Sequence, residues 1–240
     1  MIGCDCAVCH STDPRDSRLR ASIHVATPEC SWIVDAGADL RTQVLRENIR
    51  EIDAVVFTHS HTDHIMGFDD LRRFSSFRGG MPVYASSATM KDLKRVFEFA
   101  FEGLNPFPGY LRPEPHLVTG PFDLGGTRLT PLPVPHGNSE VYGYLFSRGG
   151  KKYVAYLSDC SGVPDKIANA IKGVQVLVID ALRSLPHPTH LSVDQALEVA
   201  SRVEPGRTFF THISHELPQT FEANLPSNTF IAYDGLKLEL

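Results

Sequence analysis

The chain has 240 residues, enough for one large domain, and its 42% hydrophobic and 21% charged residues are those of a globular protein, not a disordered one. A formal net charge of -5 does not favour partnership with a nucleic-acid backbone or an anionic membrane. No apolar run approaches the roughly 18–20 residues that span a bilayer. The opening Met1-Ile2-Gly3-Cys4-Asp5-Cys6 lacks both the basic start and the apolar stretch of a signal peptide. A cytoplasmic location is therefore expected, and the cysteines need an explanation other than disulfides.

In chain order, the first twenty residues are polar and turn-rich and carry Cys4, Cys6 and Cys9. Strand patterns follow at Ala21–Val25 and at Trp32–Val34, the second ending in Asp35-Ala36-Gly37. Leu40–Ile52 has helical spacing, and Ala54–Thr58 reads as a short buried strand that empties into His59. Asp69–Phe77 and Met90–Phe101 read as helices, with a strand at Pro82–Ala85 between them. The segment Asn105–Arg112 holds too many prolines for a regular helix. With Phe97 and Phe101 it is expected to form a pocket lid or a dimer surface, or to pack in the core. Strands are expected at Arg128–Val134, Val141–Phe146, Tyr153–Leu157, Val174–Ile179 and Thr208–Thr211, with a helix at Val193–Val203. A terminal hairpin is expected around Asp234-Gly235, pairing Phe230–Asp234 with Leu236–Leu240. Interleaved strands and helices without a repeat or linker predict a layered α/β domain with two sheets.

The chemistry concentrates in histidine. Thr58-His59-Ser60-His61-Thr62-Asp63-His64 places three histidines and one aspartate within six positions, directly after a buried strand. Imidazole with carboxylate suits zinc, manganese or iron. Three further strands each deliver one such group at their C-terminal ends: His136, Asp159 and His212. A lone strand-end histidine is usually structural; four such events in one chain point to a metal centre.

On these residues the chain resembles the metallo-β-lactamase fold superfamily, with His59-x-His61-x-Asp63-His64 as its central motif. The resemblance implies a four-layer αββα sandwich, a single hydrolase domain over 1–240, and a dinuclear metal site. One ion would take His59, His61 and His136; the other would take Asp63, His64 and His212; Asp159 would bridge them. The intact Asp63-His64 pair resembles the phosphodiesterase and nuclease branches more than true lactamases. Two divalent ions, Zn²⁺ or Mn²⁺, can hold a hydroxide and clamp an in-line displacement at phosphorus. The expected reaction is metal-assisted hydrolysis of a small phosphodiester, cyclic or nucleotide-like. Asp35 is read as a residue that orients a ligand, or as a turn cap.

Cys4-x-Cys6-x2-Cys9 reads as a second metal site, because a closed tetrahedral zinc needs four ligands and three thiols lie close together. His10, His24, Cys30 and His215 are the candidates for the fourth, and His215 stands out for its place three residues after His212. The combination is similar to the cyclic-phosphate phosphodiesterases of the bacterial carbon–phosphorus lyase pathway. That resemblance implies a structural zinc on Cys4, Cys6, Cys9 and His215, in an N-terminal zinc-binding loop at 4–9. It also implies a homodimer and a catalytic histidine at His190, which Asp180 would orient or tune, with His187 the weaker competitor. Family members usually begin with a strand and glycine-rich turn before the cysteines; here Met1 lies three positions before Cys4, so that strand is absent and no ligand is lost with it. Cys30 and Cys160 are read as small core residues. The remaining expectations are a tRNA 3′-processing type of nuclease, against which the acidic charge stands, and a relative of the pyrroloquinoline quinone B protein, which shares the cysteine cluster.

Overall fold

The computed structural model describes residues 1–102 and 109–240 and divides them into two compact units. One comprises Arg20–Thr127, the other Met1–Leu19 with Arg128–Leu240.

The first unit is organised on a five-stranded sheet in the order β1-β2-β3-β4-β5. The strands are β1 (Ile23–Ala26), β2 (Ser31–Val34), β3 (Ala54–Val56), β4 (Met81–Ala85) and β5 (Pro113–Leu117). β1 is antiparallel to β2, and β2 through β5 run parallel. β3 is wholly buried, which is why it reads as an uninterrupted apolar run. Helices α1 (Leu40–Arg46), α2 (Thr62–Ile65), α3 (Arg72–Arg78), α4 (Ser87–Val96) and α5 (Glu98–Phe101) complete the unit.

Two of these helices are shorter than their periodicity predicts. The Leu40–Ile52 pattern ends at Arg46, because Asn48 adopts a left-handed φ of 54° and closes the helix. The amides of Ile49 and Asn48 then bond back to the carbonyls of Val44 and Leu45 at 3.0 and 3.3 Å, a Schellman stop with asparagine in the usual glycine place. The Met90–Phe101 pattern starts earlier, at the Ser86 cap, and breaks at Phe97 (φ -115°, ψ 40°). Phe97 and Phe101 serve the core: both pack on the buried ring of Phe68, at centroid distances of 4.9 and 5.7 Å. The part of the proline-rich segment at 105–108 lies outside the described residues. The predicted helix at Asp69–Phe77 is a 3-10 turn at Phe68–Leu71 continued by α3.

The second unit carries β7 (Thr127–His136), β8 (Ser139–Arg148), β9 (Lys151–Leu157), β10 (Val176–Asp180), β11 (Arg207–Thr211) and β12 (Thr229–Ile231), with α6 (Asp165–Ile171) and α7 (Val193–Val203). The short β6 (Phe122–Leu124) precedes β7 in the chain. Strands β7, β8 and β9 form an antiparallel meander. From β9 through β10 and β11 to β12 the sheet is parallel. Parallel neighbours bring their C-terminal ends to the same edge, where Asp159, Asp180 and His212 follow or end three adjacent strands. The expected terminal hairpin is not formed. Instead β12 pairs in parallel with β11, Leu236–Leu240 carries no strand, and the Asp234 carboxylate accepts the amide of Leu19 at 3.3 Å.

Among the described residues no helix is long and apolar enough to cross a membrane.

Candidate metal centre

In the first unit the motif loop is built around a carboxylate. Asp35 ends the Trp32–Val34 run in a left-handed conformation (φ 65°) and is fully buried. Its Oδ1 accepts the amide of Thr58 at 2.8 Å, and its Oδ2 accepts the Thr58 hydroxyl and His64 Nδ1–H, each at 2.8 Å. The Thr58 hydroxyl in turn accepts from His59 Nδ1–H at 2.9 Å. One buried carboxylate thus fixes two rings through Nδ1, so that Nε2 is the nitrogen placed to ligate in both. The backbone is stitched to match: Ala36 N–H donates to His64 C=O at 2.7 Å and Gly67 N–H to Ala36 C=O at 2.8 Å. Gly37 and Gly67 permit this approach, since a Cβ on either would collide with backbone oxygen, of Asp63 and of Gly37 respectively. The His59 ring lies 4.4 Å from that of His61 and 4.2 Å from that of His64.

The second unit assembles its own group at the sheet edge. His136, the last residue of β7, donates Nδ1–H to the Thr189 carbonyl at 2.7 Å, and burial holds its pKa below the usual histidine value. His136 Nε2 and His212 Nε2 stand 3.8 and 3.3 Å from Asp159 Oδ2. His190 Nδ1 donates to Asp180 Oδ2 at 2.7 Å, and the His190 ring stacks on His212 at 4.8 Å. Asp180 is fully buried and also accepts the amide of Cys160 at 3.0 Å. Burial pushes its carboxyl well above the ordinary carboxylate range.

These spacings fit a cation. The Nε2-to-carboxylate distances, including His64 to Asp63 at 3.6 Å, exceed good hydrogen bonds. They match the separation of about 3.4 Å between two ligands on one ion with bonds of roughly 2.0–2.2 Å in tetrahedral geometry.

The cysteine cluster passes the same test. The donor atoms of Cys4, Cys6, Cys9 and His215 all lie within 4.8 Å of one another, and His215 Nδ1 is 3.4 Å from both Cys4 Sγ and Cys6 Sγ. The His215 contact, then the Cys9 amide, lowers the Cys6 thiol to about 6. Of the other sequence candidates, His10 meets Asp5 and His24 meets Ser31, while Cys30 lies half-buried in the loop between β1 and β2 rather than in the core. Arg18 secures the arrangement by donating to the Leu217 carbonyl at 2.8 Å while its other terminal nitrogen meets Asp16 at 3.1 Å. Cys160 is fully buried, as its core assignment requires. Sequence reasoning missed Thr58 and Thr189 as orienting residues. The first acts through a hydroxyl inside the motif; the second acts through a backbone carbonyl, which no side-chain pattern reveals.

Histidines and aspartates at the ends of parallel strands, held by buried carboxylates and carbonyls, define a metal-dependent hydrolase of the metallo-β-lactamase fold. The family model for the beta-lactamase superfamily domain matches residues 32–213. A structure described as a new diphosphatase from the PhnP family is 43% identical, with a TM-score of 0.90, over 99% of this chain and 90% of its own. Zn²⁺-bound PqqB from Methylobacterium extorquens aligns over 100% of this chain and 95% of its own, with a TM-score of 0.78 at 22% identity, which is a likeness of fold. An octanoyltransferase of Porphyromonas gingivalis is 30% identical over 98% of this chain but only 48% of its own length, so this chain spans about half of that protein. The chain belongs to the beta-lactamase superfamily and, within it, to the PhnP family. Its fold implies divalent metal ions, and the donor sets described above suit them.

Proposed function

We propose that the chain is a phosphodiesterase-type hydrolase that splits a P–O bond in a small nucleotide-like or cyclic ribose phosphate, with two divalent ions at its centre. The observation that carries this is the locking of His59, His64 and His136 through Nδ1, by Thr58, Asp35 and the Thr189 carbonyl. Fixed imidazole tautomers with carboxylates at ligand spacing are what a metal site needs and what a merely solvated loop does not. In this reading residues 1–240 act as one catalytic domain. His59, His61 and His136 hold one ion, Asp63, His64 and His212 the other, and Asp159 both. Cys4, Cys6, Cys9 and His215 hold a structural zinc. The kinship with a PhnP-family diphosphatase supports the phosphorus chemistry.

When bound, the ions supply Lewis acidity and an activated water. The chain's own residues supply the rest. Hydrolysis places a hydroxyl on phosphorus and a proton on the departing oxygen. His190 delivers that proton from Nε2, because Asp180 occupies Nδ1 and stabilises the imidazolium. Asp35 keeps two ligand rings from turning. Acyl transfer through a thiol at this place is disfavoured: Cys160, next to Asp159, is fully buried, and burial pushes its thiol well up.

The test is a phosphoester screen on protein reconstituted with Zn²⁺ or Mn²⁺. Bis(p-nitrophenyl) phosphate, a cyclic ribose phosphate and a dinucleoside diphosphate should include at least one substrate, and chelation should abolish turnover. Failure to cleave all three with either metal rejects the reading.

A further inference from the structure

His190 stands on the loop between β10 and α7, and the two parts of that loop are held by different means. At its neck the backbone closes on itself: Leu182 N–H donates to the Leu191 carbonyl and Val193 N–H to the Arg183 carbonyl, each at 3.0 Å. Beyond the neck, Ser184 to His190 form no helix or strand. Pro186 and Pro188 lie within this tip and have no amide to bond.

A side chain holds the outgoing limb instead. Arg183 folds back over its own loop: Nε donates to the Leu185 carbonyl and Nη2 to the Pro186 carbonyl, each at 3.3 Å. Its Nη1 donates to Glu216 Oε1 at 2.9 Å. Glu216 follows His215, so one guanidinium joins the segment of the cysteine cluster to the loop of His190. The returning limb is held at Thr189, whose amide donates to His187 Nδ1 at 3.3 Å and whose carbonyl accepts His136 Nδ1–H at 2.7 Å. Asp180 fixes the His190 ring through Nδ1, but a ring held at one atom still moves with the backbone that carries it. Each of the three Arg183 nitrogens meets a protein oxygen, and Glu216 offsets the charge. Such a fork is spent on chain geometry and poorly placed to clamp a substrate anion.

We propose that Arg183 is a positioning residue: it splints Leu185 and Pro186 against Glu216 and so keeps His190 aimed at the departing oxygen. This rests on the phosphohydrolase reading above and adds the element that aims its proton donor. The effect of losing Arg183 should therefore follow the leaving group, as the effect of losing His190 does.

The test uses the full chain reconstituted with Zn²⁺ or Mn²⁺. In Arg183→Gln, kcat on a cyclic ribose phosphate should fall about tenfold or more, and on bis(p-nitrophenyl) phosphate by about twofold or less. Arg183→Lys should behave likewise, because an ammonium keeps the charge beside Glu216 but cannot fork to two carbonyls. Glu216→Gln should show a smaller loss of the same kind. Hydrogen exchange gives a readout without turnover: a peptide over Ser184–Leu191 should exchange faster in Arg183→Gln, with β9, β10 and β11 unchanged. Equal losses on both esters would make Arg183 a contact to the substrate anion and overturn the proposal. Full recovery with lysine, an unchanged loop exchange, or faster exchange throughout the sheet would also overturn it. Should Arg183→Gln not fold, Arg183→Lys and Glu216→Gln carry the same test. If wild type cleaves no ester, the hydrolase reading fails, and loop exchange alone decides whether Arg183 is the splint.

Discussion

The two donor clusters of the second unit are built on opposite terms. His136, Asp159, Asp180 and His212 end or follow strands of one sheet, and the first three are 4% exposed or less. Their positions follow from hydrogen-bonded strand register, and the core beneath them exists without any ion. Cys4, Cys6 and Cys9 are half-exposed and stand in turns that no helix or strand supports. On the proposed reading, the fold arranges the ligands of the first cluster, and the ligands of the second arrange the fold. Removing a donor should therefore cost catalysis in one place and stability in the other.

The largest expected effect is at Asp159. Asp159→Ala should lower metal-dependent phosphodiester hydrolysis by several orders of magnitude, while calorimetry shows a cooperative transition near that of wild type. Near-normal turnover would remove Asp159 from the centre. His190 sharpens the comparison, because its loss should depend on the leaving group. His190→Ala should cost roughly 10²–10⁴-fold on a ribose alkoxide but far less on an aryl ester, whose phenolate needs no proton. Equal losses on both would make it a phosphate-binding residue. The smallest effect on chemistry and the clearest on folding belongs to Cys6→Ser. It should lose one zinc per chain by elemental analysis and melt several degrees lower, with a much smaller change in turnover per folded molecule. In zinc-stripped protein Cys6 should alkylate with a midpoint near pH 6, well below the ordinary range of a free thiol. The sign follows from the lowered value: the thiolate's contribution is fully present above the unfolded pKa and is lost as pH falls through about 6. A midpoint near 9 would show that His215 does not face the thiol.

Much of the site was legible because its residues are rare types at the ends of apolar runs. His59, Asp159 and His212 each follow a short apolar run that reads as a strand, His136 ends an alternating one, and the Cys4–Cys9 spacing marks a second cluster on its own. The limits of the helices were less legible. Asn48 halted α1 where the apolar period ran on, and the Leu236–Leu240 alternation had no partner strand to make it a hairpin. β5 escaped notice because Pro113 and Pro115 disqualify it by composition, although the register against β4 accommodates both. His187 was read as a competitor to His190; its distinct geometry depends on a backbone amide that no sequence pattern encodes.

The contact between Cys4 and His215 joins residues 211 positions apart in the chain. A ribosome therefore finishes the thiol half of this cluster long before the histidine half exists. The three thiols emerge as an open chelate, which nascent chain, chaperone or metal buffer can reach, and they close only when nearly all of the sheet is made. A zinc that clamped so long a loop would remove unfolded-chain entropy worth about 5 kcal/mol on the disulfide relation. If the cluster holds the proposed zinc, metal supply during translation acts on the last step of folding, and a cell short of zinc would accumulate chains that are complete in sequence but not yet latched.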